Sequence, residues 1–268
     1  QHLARLSSDR QLLMGVGSQR RELTDPEAAK EWQTIRAQSP NALLIGNLGI
    51  AQIIRTPVDQ IRKLLDTLQA EALFVHLNAL QECLQPEGTP EFRGGYEAIE
   101  NLVQKLSIPV IVKEVGCGIS ATTLKRIYGL GVYAVDVSGL GGTHWGRVEG
   151  FRSSDEELLF QVAETFRNWG ISTVQSLLSA KEINENYTVW SSGGVRDGLQ
   201  AAKLLAMGSD MIGIAQPWLK AALADVPEKA VNDLFEKLQL ELKIAMFCTG
   251  IAKIENFRTK KVWKWHEH

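Results

Sequence analysis

Short apolar runs alternate with helical stretches along the chain, and each run ends in a polar or glycine-containing loop. The runs fall at residues 12–17, 41–45, 72–75, 109–112, 133–137, 187–190 and 211–214. They are too short for helices, and they are continuously apolar rather than alternating. That pattern suits strands covered on both faces. The stretches between them carry helix signals. Asp25-Pro26-Glu27 supplies an N-cap and a first-turn proline, and Pro57-Val58 opens a stretch with Ile61, Leu64, Leu65 and Leu68 on one face. Further helices are expected at 96–106, 120–129, 155–169, 199–206 and 227–247, the last with Val231, Leu234, Leu238, Leu242 and Ala245 on one stripe.

Strand and helix in strict alternation mean repeated βαβ units and a parallel sheet. The expected fold class is α/β, a (β/α)8 barrel, and 268 residues suit one such domain over 1–268. A doubly wound open sheet is the rival, but no Gly-x-Gly-x-x-Gly follows the first run. An eighth strand candidate, Ile171-Ser-Thr-Val174, lacks a polar end, and a shorter piece follows to about 180. The tail at 260–265 is expected to be loosely attached.

A barrel brings its strand ends to one face, where Ser18, Asn47, His76, Lys113, Ser138 and Ser192 would collect. The segment Ser191-Ser-Gly-Gly-Val-Arg-Asp-Gly198 joins a strand to a helix. Its glycines allow close approach of a ligand to backbone amides, and the helix N-terminus adds partial positive charge. Ala215-Gln216, after the next strand, would complete a phosphate site; the alternative is a plain tight turn. Lys113, after Val110-Ile-Val112, places an ammonium near whatever fills the mouth, where it could hold an electron-rich ring in an anionic state. His76 and Asn78 lie two apart on an extended segment, hence on one face, with Gln81 and Glu82 just beyond. That run is more polar than packing requires, although a lone histidine is often only a satisfied core residue. Glu82 alone cannot build a metal cage but can hold Mg2+ together with waters and substrate phosphates. The loop from Ser138 to Thr143 can wrap a cofactor or simply turn, and His144-Trp145 is assigned no role.

Composition excludes several classes. The formal net charge is -2 with pI near 6.3, so neither nucleic acid nor a membrane surface is an expected partner. No apolar run approaches the ~20 residues of a bilayer span. Cys83, Cys117 and Cys248 form neither a disulfide framework nor a metal cluster, which points to a reducing cytoplasm.

Five motifs taken together carry a resemblance. They are Gly15-Val-Gly-Ser-Gln-Arg20, His76-Leu-Asn-Ala-Leu-Gln-Glu82, Pro109-Val-Ile-Val-Lys-Glu-Val-Gly116, Val135-Asp-Val-Ser-Gly-Leu-Gly-Gly-Thr143 and Ser191-Ser-Gly-Gly-Val-Arg196. In this order they are similar to the type 2 isopentenyl-diphosphate isomerases; the last is shared with other FMN barrels such as 2-hydroxy-acid oxidases. The resemblance implies an FMN-dependent barrel interconverting isopentenyl and dimethylallyl diphosphate. Mg2+ would be required, and flavin would be kept reduced by NADPH, in a homo-oligomer. By motif, Ser18, Asn47, Lys113, Ser138 and Thr143 would contact FMN, and Gly194, Val195, Arg196, Ala215 and Gln216 its phosphate. Ser18, Gln19, Arg20 and Gln81 would face the substrate, and Glu82 would hold Mg2+. Gln81, His76 and Asn78 form the implied catalytic set, with His76 and Asn78 on the diphosphate or its network. Arginine and histidine suit that anion through charge-assisted bonds. The family's N-terminal substrate-binding segment and Thr-Gly-Gly flavin loop have no counterpart before Leu12. An N-terminally incomplete barrel lacking its first strand is therefore expected. A hydroxy-acid oxidase, or an inactive barrel fragment, are the alternatives.

Overall fold

The computed structural model describes residues 1–153, 157–260 and 262–264. In chain order the first elements are α1 (His2–Arg10), β1 (Leu13–Gly15), α2 (Pro26–Gln38), β2 (Leu43–Gly49), α3 (Ile50–Arg55), α4 (Val58–Leu68) and β3 (Ala72–His76). Then come α5 (Ala79–Leu84), α6 (Gly95–Lys105), β4 (Val110–Lys113), α7 (Ala121–Tyr128), β5 (Ala134–Asp136), α8 (Trp145–Arg152) and α9 (Glu157–Thr165). The last are α10 (Thr173–Ile183), β6 (Val189–Ser191), α11 (Gly198–Ala206), β7 (Met211–Ile212), α12 (Gln216–Ala222) and α13 (Pro227–Cys248). The seven strands take the order β1 to β7, and the described pairings are parallel. All seven apolar runs are strands.

The expected helices form at their signals. Asp25 caps α2 by accepting from the Glu27 amide at 3.0 Å, and α4 buries Ile61, Leu64, Leu65 and Leu68. On α13 Val231 is buried and the rest of its stripe half-buried. The eighth strand candidate is corrected. Ser172 makes a single bridge to Leu140, and Thr173 opens α10 with the Ser172 hydroxyl capping the Gln175 amide. A serine followed by a long helical run caps better than it pairs. The first residues of the helix expected at 155–169 and part of the 260–265 tail lie outside the described residues.

The residues group into two compact units. The first takes Gln1–Val115, Arg126–Val135 and His144–Trp169; the second takes Gly116–Lys125, Asp136–Thr143 and Gly170–His268. In the first, β2 to β4 are buried, with Leu44, Leu73, Val75 and Val112 fully enclosed, whereas β1 leaves Leu13 and Gly15 exposed. Arg36 on α2 is buried and donates to the carbonyls of Leu68, Gln69, Pro40 and Ala42, which joins the ends of α2 and α4 to the start of β2. In the second, α11 packs Ala202, Leu205 and Ala206 against Ile251 and Phe257. Among the described residues no helix is long and apolar enough to cross a membrane.

Candidate active site

In the first unit the polar groups begin within the strands. Asn47 lies inside β2, and His76 is the last residue of β3, paired with Gly49 and Lys113 on the neighbouring strands. Asn47 Nδ2 donates to the Val16 carbonyl at 3.0 Å, and its Oδ1 meets His76 Nδ1 at 2.8 Å. The backbone amide of Asn47 donates to Gln19 Oε1 at 3.1 Å. Burial, and secondly the charge on Lys113, lower the His76 pKa to about 3. The expectation of a cationic histidine for the diphosphate is thus corrected, because desolvation keeps the ring neutral at physiological pH. Lys113 is half-buried, over the Phe74 ring at 5.9 Å and 3.2 Å from the Glu114 carbonyl.

Asn78 leaves the strand direction at the N-cap position of α5, without a side-chain cap bond, so it does not share an extended face with His76. Its Nδ2 donates to Glu82 Oε1 at 2.8 Å, and Glu82 Oε2 accepts from the Thr89 amide at 2.5 Å. Asn78 Oδ1 is buried without a partner. An orphaned oxygen beside a buried carboxylate offers hard ligands of the kind Mg2+ takes. Among the described residues no group of three or more histidine, cysteine or acidic side chains forms a metal cage. Ser18 is exposed and Arg20 half-buried, its Nη2 donating to the Glu87 carbonyl at 3.1 Å. Gln19, expected to face a substrate, turns inward instead; it is 1% exposed and braces β2. Its Nε2 is unpartnered, as are both carboxylate oxygens of Glu22.

Sequence reasoning missed Glu149. It is 1% exposed on α8, accepting from Gln81 Nε2 at 2.8 Å and from Arg152 Nη1 at 2.8 Å. Its partner Gln81 lies 68 residues away in sequence. The only local signal was an acidic residue in Gly146-Arg-Val-Glu-Gly150, a segment too glycine-rich to show a helical stripe. His144, assigned no role, has both ring nitrogens engaged. Nδ1 accepts from the Arg147 amide at 3.1 Å, so Nε2 bears the proton and donates to the Trp169 carbonyl at 3.1 Å.

In the second unit two loops meet at backbone distance. Asp136 Oδ1 accepts from the amides of Ser138 and Ser192, and the Ser192 hydroxyl donates to the same carboxylate at 2.9 Å. Thr173 Oγ1 lies 2.9 and 2.7 Å from the carbonyls of Ser192 and Gly193. Gly193 and Gly194 have φ of 91° and 93°, where L side chains are strained, and a Cβ on Gly194 would meet Gly141 backbone at 2.6 Å. No acceptor among the described residues takes the amides of Gly193, Gly194 or Val195. Arg196 turns back, its Nη2 donating to the Gly141 carbonyl at 3.0 Å. The expected helix contribution is corrected. Asp197 accepts from the Gln200 amide and Glu241 from the Gly198 amide, both at 2.7 Å, so carboxylates already fill the first turn of α11. Ala215 and Gln216 stand exposed at the start of α12, which has no side-chain cap. Uncommitted amides in a glycine cradle fit a phosphate such as that of FMN.

The FMN-dependent dehydrogenase family matches residues 49–264. An isopentenyl-diphosphate delta-isomerase of Bdellovibrio bacteriovorus is 57% identical over 260 residues, 97% of this chain and 74% of that protein. One of Legionella pneumophila (strain Corby) is 53% identical over 92% of this chain and 72% of its own, and one of Nostoc sp. is 40% identical over 96% and 73%. Among solved structures, mandelate oxidase with (S)-2-phenylpropionate superposes with TM-score 0.65 at 18% identity, covering 96% of this chain and 71% of that one. The flavin-binding domain of baker's yeast flavocytochrome b2 gives 0.63 at 19%, covering 85% and 56%. These likenesses set the fold as the TIM-barrel type. The chain belongs to the isopentenyl-diphosphate delta-isomerase family, within the FMN-dependent dehydrogenases.

Proposed function

We propose that the chain interconverts isopentenyl and dimethylallyl diphosphate, using reduced FMN and Mg2+. The observation that carries the isomerase over a hydroxy-acid oxidase is His144. An oxidase needs a histidine base with a nearby arginine in the loop running to Thr143. That loop has neither, and both nitrogens of His144 just beyond it are spent on α8 and Trp169.

Moving an unactivated double bond requires a proton added at one carbon and one removed at another. Bound reduced FMN supplies an electron-rich ring that stabilises positive charge and exchanges protons. The protein's own residues bind and orient. Gly194, Val195 and Arg196, with Ala215 and Gln216, take the cofactor phosphate. Lys113 holds negative charge on the ring, with Ser18, Asn47, Ser138 and Thr143 as further contacts. Glu82 and Asn78 Oδ1 hold Mg2+ for the diphosphate, and Arg20 adds positive charge. Gln81 orients the carbon skeleton. Glu149, itself fixed by Arg152, is the buried carboxylate that holds Gln81 in place. NADPH as reductant, a cytoplasmic setting and a homo-oligomer belong to the same reading. Exposed Leu219, Leu223, Val226 and Phe247 on and beside α12 and α13 support the last.

The test is incubation with isopentenyl diphosphate, Mg2+ and photoreduced FMN in D2O. Dimethylallyl diphosphate carrying deuterium is expected. Oxidation of a 2-hydroxy acid with no isomerisation would overturn the proposal.

A further inference from the structure

Thr173 opens α10 directly behind the glycine cradle. In the first turn no carbonyl of an earlier helical turn lies within reach of its hydroxyl, which is free to bond outside the helix. Its Oγ1 lies 2.9 Å from the Ser192 carbonyl and 2.7 Å from the Gly193 carbonyl, on two successive peptides of the loop after β6. Both oxygens converge on the one hydrogen a hydroxyl carries. Gly139 allows α10 to begin so close, since a Cβ there would stand 2.2 Å from the Thr173 backbone nitrogen. The Ser192 carbonyl also receives the Gly139 amide at 3.2 Å, whereas the Gly193 carbonyl has Thr173 as its donor among the described residues.

A planar trans peptide points its N–H opposite to its C=O. The peptide that turns the Ser192 carbonyl to Thr173 therefore turns the Gly193 N–H away from it, and the next peptide turns the Gly194 N–H away in the same manner. Those are two of the three amides that no acceptor takes among the described residues. Gly193 and Gly194 have no side chains to hold their own backbone, so its rigidity comes from a neighbour. Thr173 is 5% exposed, which leaves water little chance to compete for the two carbonyls.

We propose that Thr173 is a positioning residue for the flavin phosphate. Its hydroxyl aims the Gly193 and Gly194 amides in advance, so that the phosphate meets donors already in place. It acts through those two peptides and does not contact the phosphate. The proposal rests on reading the glycine cradle as the FMN phosphate site.

The test is fluorescence titration of the flavin-free protein with FMN and with riboflavin, which has the same ring and no phosphate. Valine at 173 keeps the shape and removes the hydroxyl, whereas serine keeps the hydroxyl. Thr173→Val should weaken FMN binding roughly tenfold or more while riboflavin affinity stays within about twofold, and Thr173→Ser should recover most of the loss. Circular dichroism checks the fold, and Thr173→Ala takes the place of the valine variant if that one does not fold. Equal losses for FMN and riboflavin would make Thr173 a stitch between loops and overturn the proposal. So would failure of both variants to fold, or a serine variant no better than the valine one. A parent that prefers FMN, with a Thr173→Val variant that binds it equally well, would overturn the proposal and leave the cradle standing. A parent that binds both flavins alike would remove the cradle, and the proposal with it.

Discussion

Protonating His76 in the folded chain would place a cation beside Lys113 and away from water, and the consequence is an acid sensitivity of definite sign. Its pKa falls from 6.5 to about 3 on folding. Below 6.5 the unfolded chain gains a proton that the folded chain refuses, so stability falls as pH drops through that window, by up to ~1.4 kcal/mol per unit. Urea unfolding at several pH values should show His76→Gln losing less stability between neutral and mildly acid solution than the parent. Glu22 acts in the opposite sense. Burial raises its carboxyl above 4.5, so its contribution is present at low pH and lost as pH rises. Glu149→Gln keeps the shape of the Gln81 contact and removes the carboxylate. It should lower kcat on the order of 10²-fold while flavin affinity stays unchanged, measured by titration with FMN. Equal kcat would reduce Glu149 to a packing role. Glu82→Gln should raise the Mg2+ needed for half-maximal activity by roughly tenfold or more, again with flavin binding intact.

Arg36 shows what one side chain does for several elements, since its guanidinium serves carbonyls at the ends of α2 and α4 and the entry to β2. Arg36→Met leaves those buried acceptors without donors and should cost about 3 kcal/mol in urea unfolding. Gly194→Asp should abolish flavin binding, because its Cβ would meet the Gly141 backbone and its charge would enter the glycine cradle. Elements were legible in the sequence wherever one segment carries its own signal. The strands announce themselves as apolar runs, and Asp25-Pro26 and Pro57 mark helix starts. What stayed hidden depends on partners far along the chain. Gln19 reads as a loop polar group until β2 lies beside it, and the first turn of α11 reads as an anion site until Glu241 arrives from α13. The glycine motif itself was readable because a positive φ and close backbone contact leave little choice of residue.

At the scale of the molecule, Leu223 just past α12 and Phe247 near the end of α13 are large apolar side chains 76% and 87% exposed. The double variant Leu223→Glu/Phe247→Glu should therefore have a lower solution mass than the parent by sedimentation, at unchanged circular dichroism. Equal masses would remove this face from the oligomer. The chain also passes from one compact unit to the other five times, yet Gly170–His268 lies wholly in the second. That interleaving bears on inheritance. A genetic crossover between two relatives just after Val115 would assemble both units from mixed parentage, setting unmatched side chains against each other in each core. A crossover between Trp169 and Gly170 would hand down the first unit intact and split only the second, so hybrid genes that survive selection should carry their junctions near that boundary.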